Sequence, residues 1–299
     1  GAYVAYTITQ AVGFWWGLLI APPVVGVLGA LFERFALRRV HKFGHVPELL
    51  ITFGLSYIIL ELVQLVWGRQ ALNFLPPESL RGPLFTIVDL PDSLSIAWGD
   101  KPPVCASVAG ASVAGAICTN FPAFRAFGMG VAVLMLIALW LVLTRTRLGL
   151  VITAALTHPE AVESLGHNVP RVFMLVFGGG TALAALAGVI GGALRVTEPS
   201  MALAVGAVVF AVIVIGGMGS LAGAFVASVG LGVIESFAVG SDRSIADGLK
   251  AIGMAVTPET FGYAVWSVKI SQIAAILPFL LLVLILIFRP KGLFGTREG

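Results

Sequence analysis

Long apolar runs broken by short polar stretches dominate the chain. Stretches of about 17 to 25 residues with few charges are long enough to cross a bilayer as helices. Seven fit: Phe14–Phe32, Pro47–Trp67, Phe127–Leu143, Val172–Ala193, Met201–Gly217, Leu221–Ala238 and Gln272–Phe288. An eighth run, Gly1–Val12, is apolar but too short to span. Gly1 reads as a position inside a helix that starts upstream, because the run lacks the charged flank and cleavage site of a signal peptide. The pattern predicts an all-α polytopic membrane helix bundle of about eight spans, the first truncated. It forms a single transmembrane domain over residues 1–299, with a long insertion at 68–126, an organised loop at 144–171 and a second polar segment at 239–271.

Composition sharpens this. Of 299 residues, 58% are hydrophobic and 11% charged, against roughly 25% charged in soluble domains. Mean hydropathy is +1.01. A water-soluble globule, a disordered chain and a disulfide scaffold are excluded, the last because there are only 2 Cys. The net charge of +3 is small and gives no support for nucleic-acid binding. Its distribution is informative. Alternating the spans puts Arg34, Arg38, Arg39, Lys42, Arg145, Arg147, Arg171, Arg289, Lys291 and Arg297 on one side, against Glu33, Glu48, Glu160, Glu163 and Glu298. That side carries +5 and the other −2, so the positive-inside rule makes the first side, with the C-terminus, cytoplasmic. The turn between Met201–Gly217 and Leu221–Ala238 leaves two readings open: a tight turn between two full spans, or half-helices of a re-entrant element lining a path.

The loop at 144–171 is polar and organised. Thr157 with Glu160 three residues later fits a capping box, and Gly166 supplies a C-terminal stop, so a two-turn helix is expected over His158–Leu165. So short a helix is marginal alone and needs a support, either a partner protein or the ends of its own bundle. In the 68–126 insertion, Leu84–Val88 and Leu94–Trp98 read as short strands. Cys105 and Cys118 lie there too, either paired or serving as small apolar residues, and Val104–Ile117 is too short to span. An amphipathic surface helix is expected around Ile245–Val256.

Little else carries chemistry. His41 and His45 have helical metal spacing but no H-E-x-x-H glutamate. Gly217-Met218-Gly219 with Gly223 has the wrong spacing for a nucleotide fingerprint, and no P-loop or nucleophile elbow occurs. No metal or cofactor site is expected, and enzyme activity is not. Glu61, Gln64 and Glu235 are polar groups inside spans, which either line a polar path or sit at the interface near helix ends. Gly178, Gly179, Gly180, Ala184, Gly188 and Gly191, and Gly223, Ala227, Gly230 and Gly232, form small-residue stripes suited to close helix packing.

Four segments carry a family resemblance: Gly1–Val4; Thr146-Arg147-Leu148-Gly149 running through Glu163 and Gly166-His167-Asn168 to Ala184-Ala185-Leu186-Ala187-Gly188; Gly216-Gly217-Met218-Gly219-Ser220 with Gly223, Gly230 and Glu235; and Arg289-Pro290-Lys291-Gly292-Leu293-Phe294-Gly295. The chain resembles the smaller of the two paralogous permeases of bacterial branched-chain amino acid ABC transporters. The resemblance implies that Thr157, Glu160, Ala161, Glu163 and Gly166 belong to a coupling helix seated on a cytoplasmic ATP-binding subunit. It also implies a second paralogous permease, two ATP-binding subunits that bind the ATP, and an extracytoplasmic solute-binding protein, all at the bacterial cytoplasmic (inner) membrane. On this reading the chain forms half of an importer path, with Glu61, Gln64, Gly216, Gly217, Gly219 and Glu235 as candidate path residues. The sequence departs from the family pattern in three ways. A membrane helix with an Asn-x-Ala-His-Gly-like sequence is expected before Gly1, Gly166-His167-Asn168 stands for Gly-Ile-Asn, and the outer segments 68–126 and 239–271 are long. Related permeases carry urea, amides and other amino acids. An ATP-independent channel or secondary carrier is the competing class.

Overall fold

Lipid leaves a backbone no water to bond, so each apolar run satisfies its N–H and C=O groups internally, as a helix. The computed structural model describes residues 1–40, 43–90, 93–99, 117–157, 159–166, 168–217, 219–241, 244 and 268–295. The helix expected around Ile245–Val256, residues 104–116 of the apolar stretch in the insertion, and His41 lie outside them. Among the described residues, six helices are long and apolar enough to cross a membrane: Phe14–Val40, Leu50–Trp67, Ala123–Arg145, Val169–Leu194, Leu221–Gly240 and Ile270–Phe288. The expected count of about eight is not reached among them. The other two candidates are helices of 11 residues, Ala2–Val12, and 16 residues, Met201–Gly216. At 1.5 Å per residue these extend about 17 Å and about 24 Å, short of the ~30 Å hydrocarbon core.

The chain divides into two compact units, Gly1–Pro199 and Ser200–Gly299. In the first, α1 (Ala2–Val12) turns at Gly13, whose φ of 102° suits glycine, into α2 (Phe14–Phe32). Helix α2 contains Pro22 and Pro23, which withdraw two backbone donors, and ends in a wide π turn, Glu33–Leu37, before Arg38–Val40. Helix α3 (His45–Trp67) follows. Its C-terminal end is tied to α1 where Trp67 Nε1 donates to Thr7 Oγ1 at 2.9 Å and its ring meets Tyr3 at 5.5 Å.

The insertion then forms a three-stranded antiparallel sheet, β1 (Pro83–Leu90), β2 (Ser93–Trp98) and β3 (Ile117–Pro122), in the order β2-β1-β3. The expected strand pieces lie within β1 and β2, whereas β3 was not foreseen, since it closes an apolar stretch and runs straight into the next helix. Phe85 stands opposite both Trp98 and Phe121, with the Phe85 and Phe121 rings stacked at 5.0 Å. Thr86 is fully buried and donates to Asn120 Oδ1 at 3.0 Å. Cys118 on β3 is disulfide-bonded; Cys105, the other cysteine of the sequence, lies outside the described residues.

Helix α4 (Ala123–Arg145) leads into α5 (Arg147–Thr157), α6 (Pro159–Ser164) and α7 (Val169–Leu194). Helices α2 and α7 pack backbone to backbone. A Cβ on Gly26 would stand 3.0 Å from the Gly178 carbonyl, and one on Gly178 would stand 3.0 Å from the Gly26 carbonyl. The stripe on α7 is used selectively, because Gly179, Gly180 and Gly191 face open space. Aromatic residues close one end of this unit: Phe14 meets Phe74 at 5.8 Å and Phe124 at 5.7 Å, over Val189 and Ile190. The second unit is an antiparallel set of α8 (Met201–Gly216), α9 (Leu221–Gly240) and α10, which runs from Ile270 to Phe288. Its core is Ala211, Ile215, Ala227 and Leu231, with Leu281, Leu282 and Ile285 against it.

Candidate functional site

Two helix junctions gather the residues singled out by sequence. The first lies between α4 and α7. Thr146 leaves the helical conformation with φ −111° and ψ 154°, and its hydroxyl accepts from the Gly149 N–H at 3.2 Å. The threonine thus caps α5, and Gly149 passes so close to the Leu143 carbonyl that a side chain has no room. Helix α5 was not foreseen within the 144–171 loop, although the spacing of Val151 and Ala155 on one face is the signal for it. Ala155, Val162 and Val169 form a buried cluster with Val151, Val172 and Phe173 packed against it.

Val162, at 4% exposure, therefore seats α6 on the ends of its own bundle. This answers the question of support, and it leaves Glu160, Ala161 and Glu163 exposed on the outward side. Helix α6 is six residues, Pro159–Ser164, against the expected His158–Leu165. Thr157 ends α5 rather than standing free ahead of α6, and His158 lies outside the described residues. At the far end Gly166 has φ +83° and its N–H donates to the Glu163 carbonyl at 2.9 Å, a glycine-specific stop. Asn168 then caps α7, its Oδ1 accepting from the Arg171 N–H at 3.1 Å. Two acidic side chains, Glu160 and Glu163, are thus presented on a braced and exposed turn.

The second junction is the glycine turn between α8 and α9. Gly217 and Gly219 have φ of 98° and 83°, and Ser220 caps α9 by accepting from the Gly223 N–H at 3.0 Å. Gly216 lies against Gly223 and Ala224, where a Cβ would meet backbone atoms at 2.5 and 2.6 Å. The closing Arg289–Gly295 segment docks on this turn. Leu293 N donates to the Ile215 carbonyl at 2.8 Å and Phe294 N to the Gly216 carbonyl at 3.1 Å. Two stretches separated by some seventy residues in sequence are thus one backbone-paired structure, a link that no local pattern announces. The turn lies at the end of the helices where the chain emerges at Arg289.

The remaining candidates do not join these junctions. Glu61 is exposed and Gln64 half-buried near the end of α3, one turn apart, and the Gln64 carbonyl accepts from the Gly68 N–H at 2.9 Å. Glu235 is half-buried on α9. It is fourteen residues past Leu221, about 21 Å along the helix from the glycine turn. Among the described residues, no group of three or more His, Cys, Asp or Glu could hold a metal ion. Sequence reasoning also missed the pair Glu33 and Arg38 on the wide turn of α2, at 3.7 Å, since residues five apart face different ways on an α-helix.

Known proteins match the chain in two ways. A family model described as branched-chain amino acid transport system, permease component, matches residues 1–286. The high-affinity branched-chain amino acid transport system permease protein BraD of Pseudomonas aeruginosa is 32% identical over 169 residues, covering 56% of this chain and 46% of that protein, so this match spans less than half of the relative. The corresponding LivH proteins of Salmonella typhimurium and Escherichia coli K12 are 26% identical over 314 aligned positions, covering 100% of this chain and 83% of each. No solved structure gives a significant match. These relatives are transport permeases, not enzymes, and with its six apolar helices the chain is a multi-pass membrane protein that belongs to the family of permease components of branched-chain amino acid transport systems.

Proposed function

We propose that this chain is a membrane-spanning subunit of an ATP-driven importer and forms half of the translocation path for branched-chain amino acids. The observation that carries the reading is the α5–α6 junction: a short helix seated by Val162 and presenting Glu160, Ala161 and Glu163 outward, between Thr157 and the Gly166 stop. Two ATP-binding subunits supply the nucleotide chemistry, and this chain itself holds no cofactor. Their closure pushes on α6, and the helix bundle switches between outward-open and inward-open states. A second paralogous permease supplies the other half of the path, and an extracytoplasmic binding protein delivers solute to the side bearing the 68–126 and 239–271 segments. Polar groups within spans, Glu61, Gln64 and Glu235, and the glycine turn at Gly216, Gly217 and Gly219, are the path residues in this reading. The excess of Lys and Arg beside Glu33–Glu48, Thr144–Arg171 and the C-terminus supports a cytoplasmic placement of those segments in a bacterial inner membrane.

The test is uptake of labelled leucine into vesicles holding the full-length chain with the ATP-binding subunits, second permease and binding protein encoded beside it, with and without internal ATP. ATP-dependent leucine uptake is expected. Uptake of urea or another amino acid in its place would correct the substrate, and uptake indifferent to ATP would refute the mechanism. Charge reversal at Glu160 and Glu163 together is expected to abolish association of the ATP-binding subunits; retained assembly and uptake would refute the coupling role.

A further inference from the structure

The wide turn at the end of α2 brings two charged groups together. Five residues apart, Glu33 and Arg38 would stand about 140° apart on an ideal helix. Here the Arg38 N–H bonds the Glu33 carbonyl, and the turn brings Arg38 Nη2 within 3.7 Å of Glu33 Oε2. The Glu33 residue is buried, at 6% exposure. The same Nη2 donates to the Pro170 carbonyl at 2.9 Å. Pro170 is the second residue of α7, next to Val169, which packs with Val162 of α6. One guanidinium thus bridges the end of α2 to the helix that the coupling segment feeds.

The bridge is strained in its bonding. Arg38 Nε is buried and, among the described residues, meets no acceptor. A guanidinium satisfies a carboxylate best as a fork, with Nε and a terminal nitrogen donating in parallel. With Nη2 donating to Pro170 and standing 3.7 Å from Glu33, that fork is not formed. The side chain bridges to Pro170 with its Nε unmade. Wide turns of this kind recur inside helices at functional positions.

We propose that Arg38 is a positioning residue that yokes α2 to the start of α7, so that displacement of the Pro159–Gly166 segment moves α2 instead of being absorbed at Asn168. This rests on the coupling role proposed above for that segment. Away from the bridge, the Gly26 and Gly178 contact keeps α2 and α7 together as a pair, so the guanidinium sets their relation at the end nearest the coupling segment.

The test uses the complete complex in vesicles, with the parent chain, Arg38→Ala and Arg38→Lys. Complex recovery, basal ATP hydrolysis, hydrolysis stimulated by loaded binding protein, and labelled leucine uptake are each measured. For Arg38→Ala, recovery and basal hydrolysis within twofold of the parent are expected, with stimulation and uptake both reduced tenfold or more. Arg38→Lys keeps a donor for Pro170 and a charge for Glu33, and is expected to recover at least a third of parental uptake. Parental stimulation and uptake in Arg38→Ala would overturn the inference while leaving the importer reading intact. Loss of complex recovery in both variants would also overturn it, by making the contact one of folding alone. A parent complex whose uptake ignores ATP would overturn the importer reading and this inference with it.

Discussion

Helix α6 is held by one side chain, and that makes its stability separable from that of the bundle. Six residues return too few hydrogen bonds to offset the cost of nucleating a helix, so its order depends on Val162 among Ala155, Val169, Val151 and Phe173. Removing one buried methylene costs about 0.5–1.5 kcal/mol in well-packed cores, so Val162→Ala, which removes two carbons, costs roughly 1–3 kcal/mol. At 1.4 kcal/mol per tenfold, the open population of α6 rises about 5- to 150-fold. Hydrogen exchange reads this directly. The Leu165 N–H bonds the Ala161 carbonyl at 3.2 Å and the Gly166 N–H bonds the Glu163 carbonyl at 2.9 Å; both are expected to exchange faster by that factor in lipid nanodiscs. Amides in the middle of α7, around Ala184, are expected to keep the parental rate, because they belong to a separate cooperative unit. Unchanged exchange at Leu165 and Gly166 would refute the seating role of Val162. Equal acceleration along α7 would refute the separability. Val162→Asp places an unpaired carboxylate in the same pocket, which strongly disfavours the seated state, and is expected to abolish binding of the ATP-binding subunits while the spans stay folded.

Two further outcomes follow from close backbone approach. Gly178→Val is expected to lower the thermal unfolding midpoint in detergent, at an overpacking cost of roughly 1–3 kcal/mol, because its Cβ would stand 3.0 Å from the Gly26 carbonyl and the Ala30 Cβ. Gly180→Val, with open space around it, is the control and is expected to leave the midpoint unchanged; equal effects would refute the packing assignment. Gly292→Ala is expected to undock the C-terminal segment, since Gly292 has φ +78° and a Cβ there would stand 2.5 Å from Gly217 Cα. Limited trypsin digestion checks this: cleavage after Lys291, which precedes Gly292, should become faster, and parental digestion would refute the docking.

The spans were legible because a bilayer imposes one requirement, an apolar length, that composition alone reveals. Helix ends were legible only where a residue type is tied to one backbone conformation, as at Gly166, which stops α6 with φ +83°. Helix α5 was missed for the opposite reason. Its signal, Val151 and Ala155 on one face, covers a single turn inside a loop that otherwise reads as polar, and Leu148 and Leu150 beside it are exposed at 63% and 70%. Strand β3 was missed because its pairing with β1 is set by partners about thirty residues away, such as Asn120 opposite Thr86. The Glu33 and Arg38 pair was invisible because it depends on a local change in helical winding that the sequence around it does not announce.

Three of the four segments that carried the family resemblance contain helix corners. Thr146 and Gly149 make the corner between α4 and α5, with the threonine hydroxyl capping and the glycine clearing Leu143. Gly216 to Ser220 makes the corner between α8 and α9, and Arg289 to Gly295 closes it through the Leu293 and Phe294 N–H groups. Each corner demands a positive φ, a missing side chain or a particular hydroxyl, and only one or two residue types satisfy it. The span faces between them make no such demand. Helices α3 and α4 bury none of the residues in their spanning windows within this chain, so the chain's own packing fixes few of the residue types there. A sequence of this kind therefore states its junctions, and through them its family, with more precision than its path. On the proposed reading the solute is discriminated by the few polar groups that interrupt apolar faces, Glu61, Gln64 and Glu235. Their identities are ordinary, and their meaning depends on what the facing surfaces bring to them. That is why assigning the solute calls for the uptake assay on the whole assembly, while the coupling role proposed for the Pro159–Gly166 segment can be tested residue by residue on this chain.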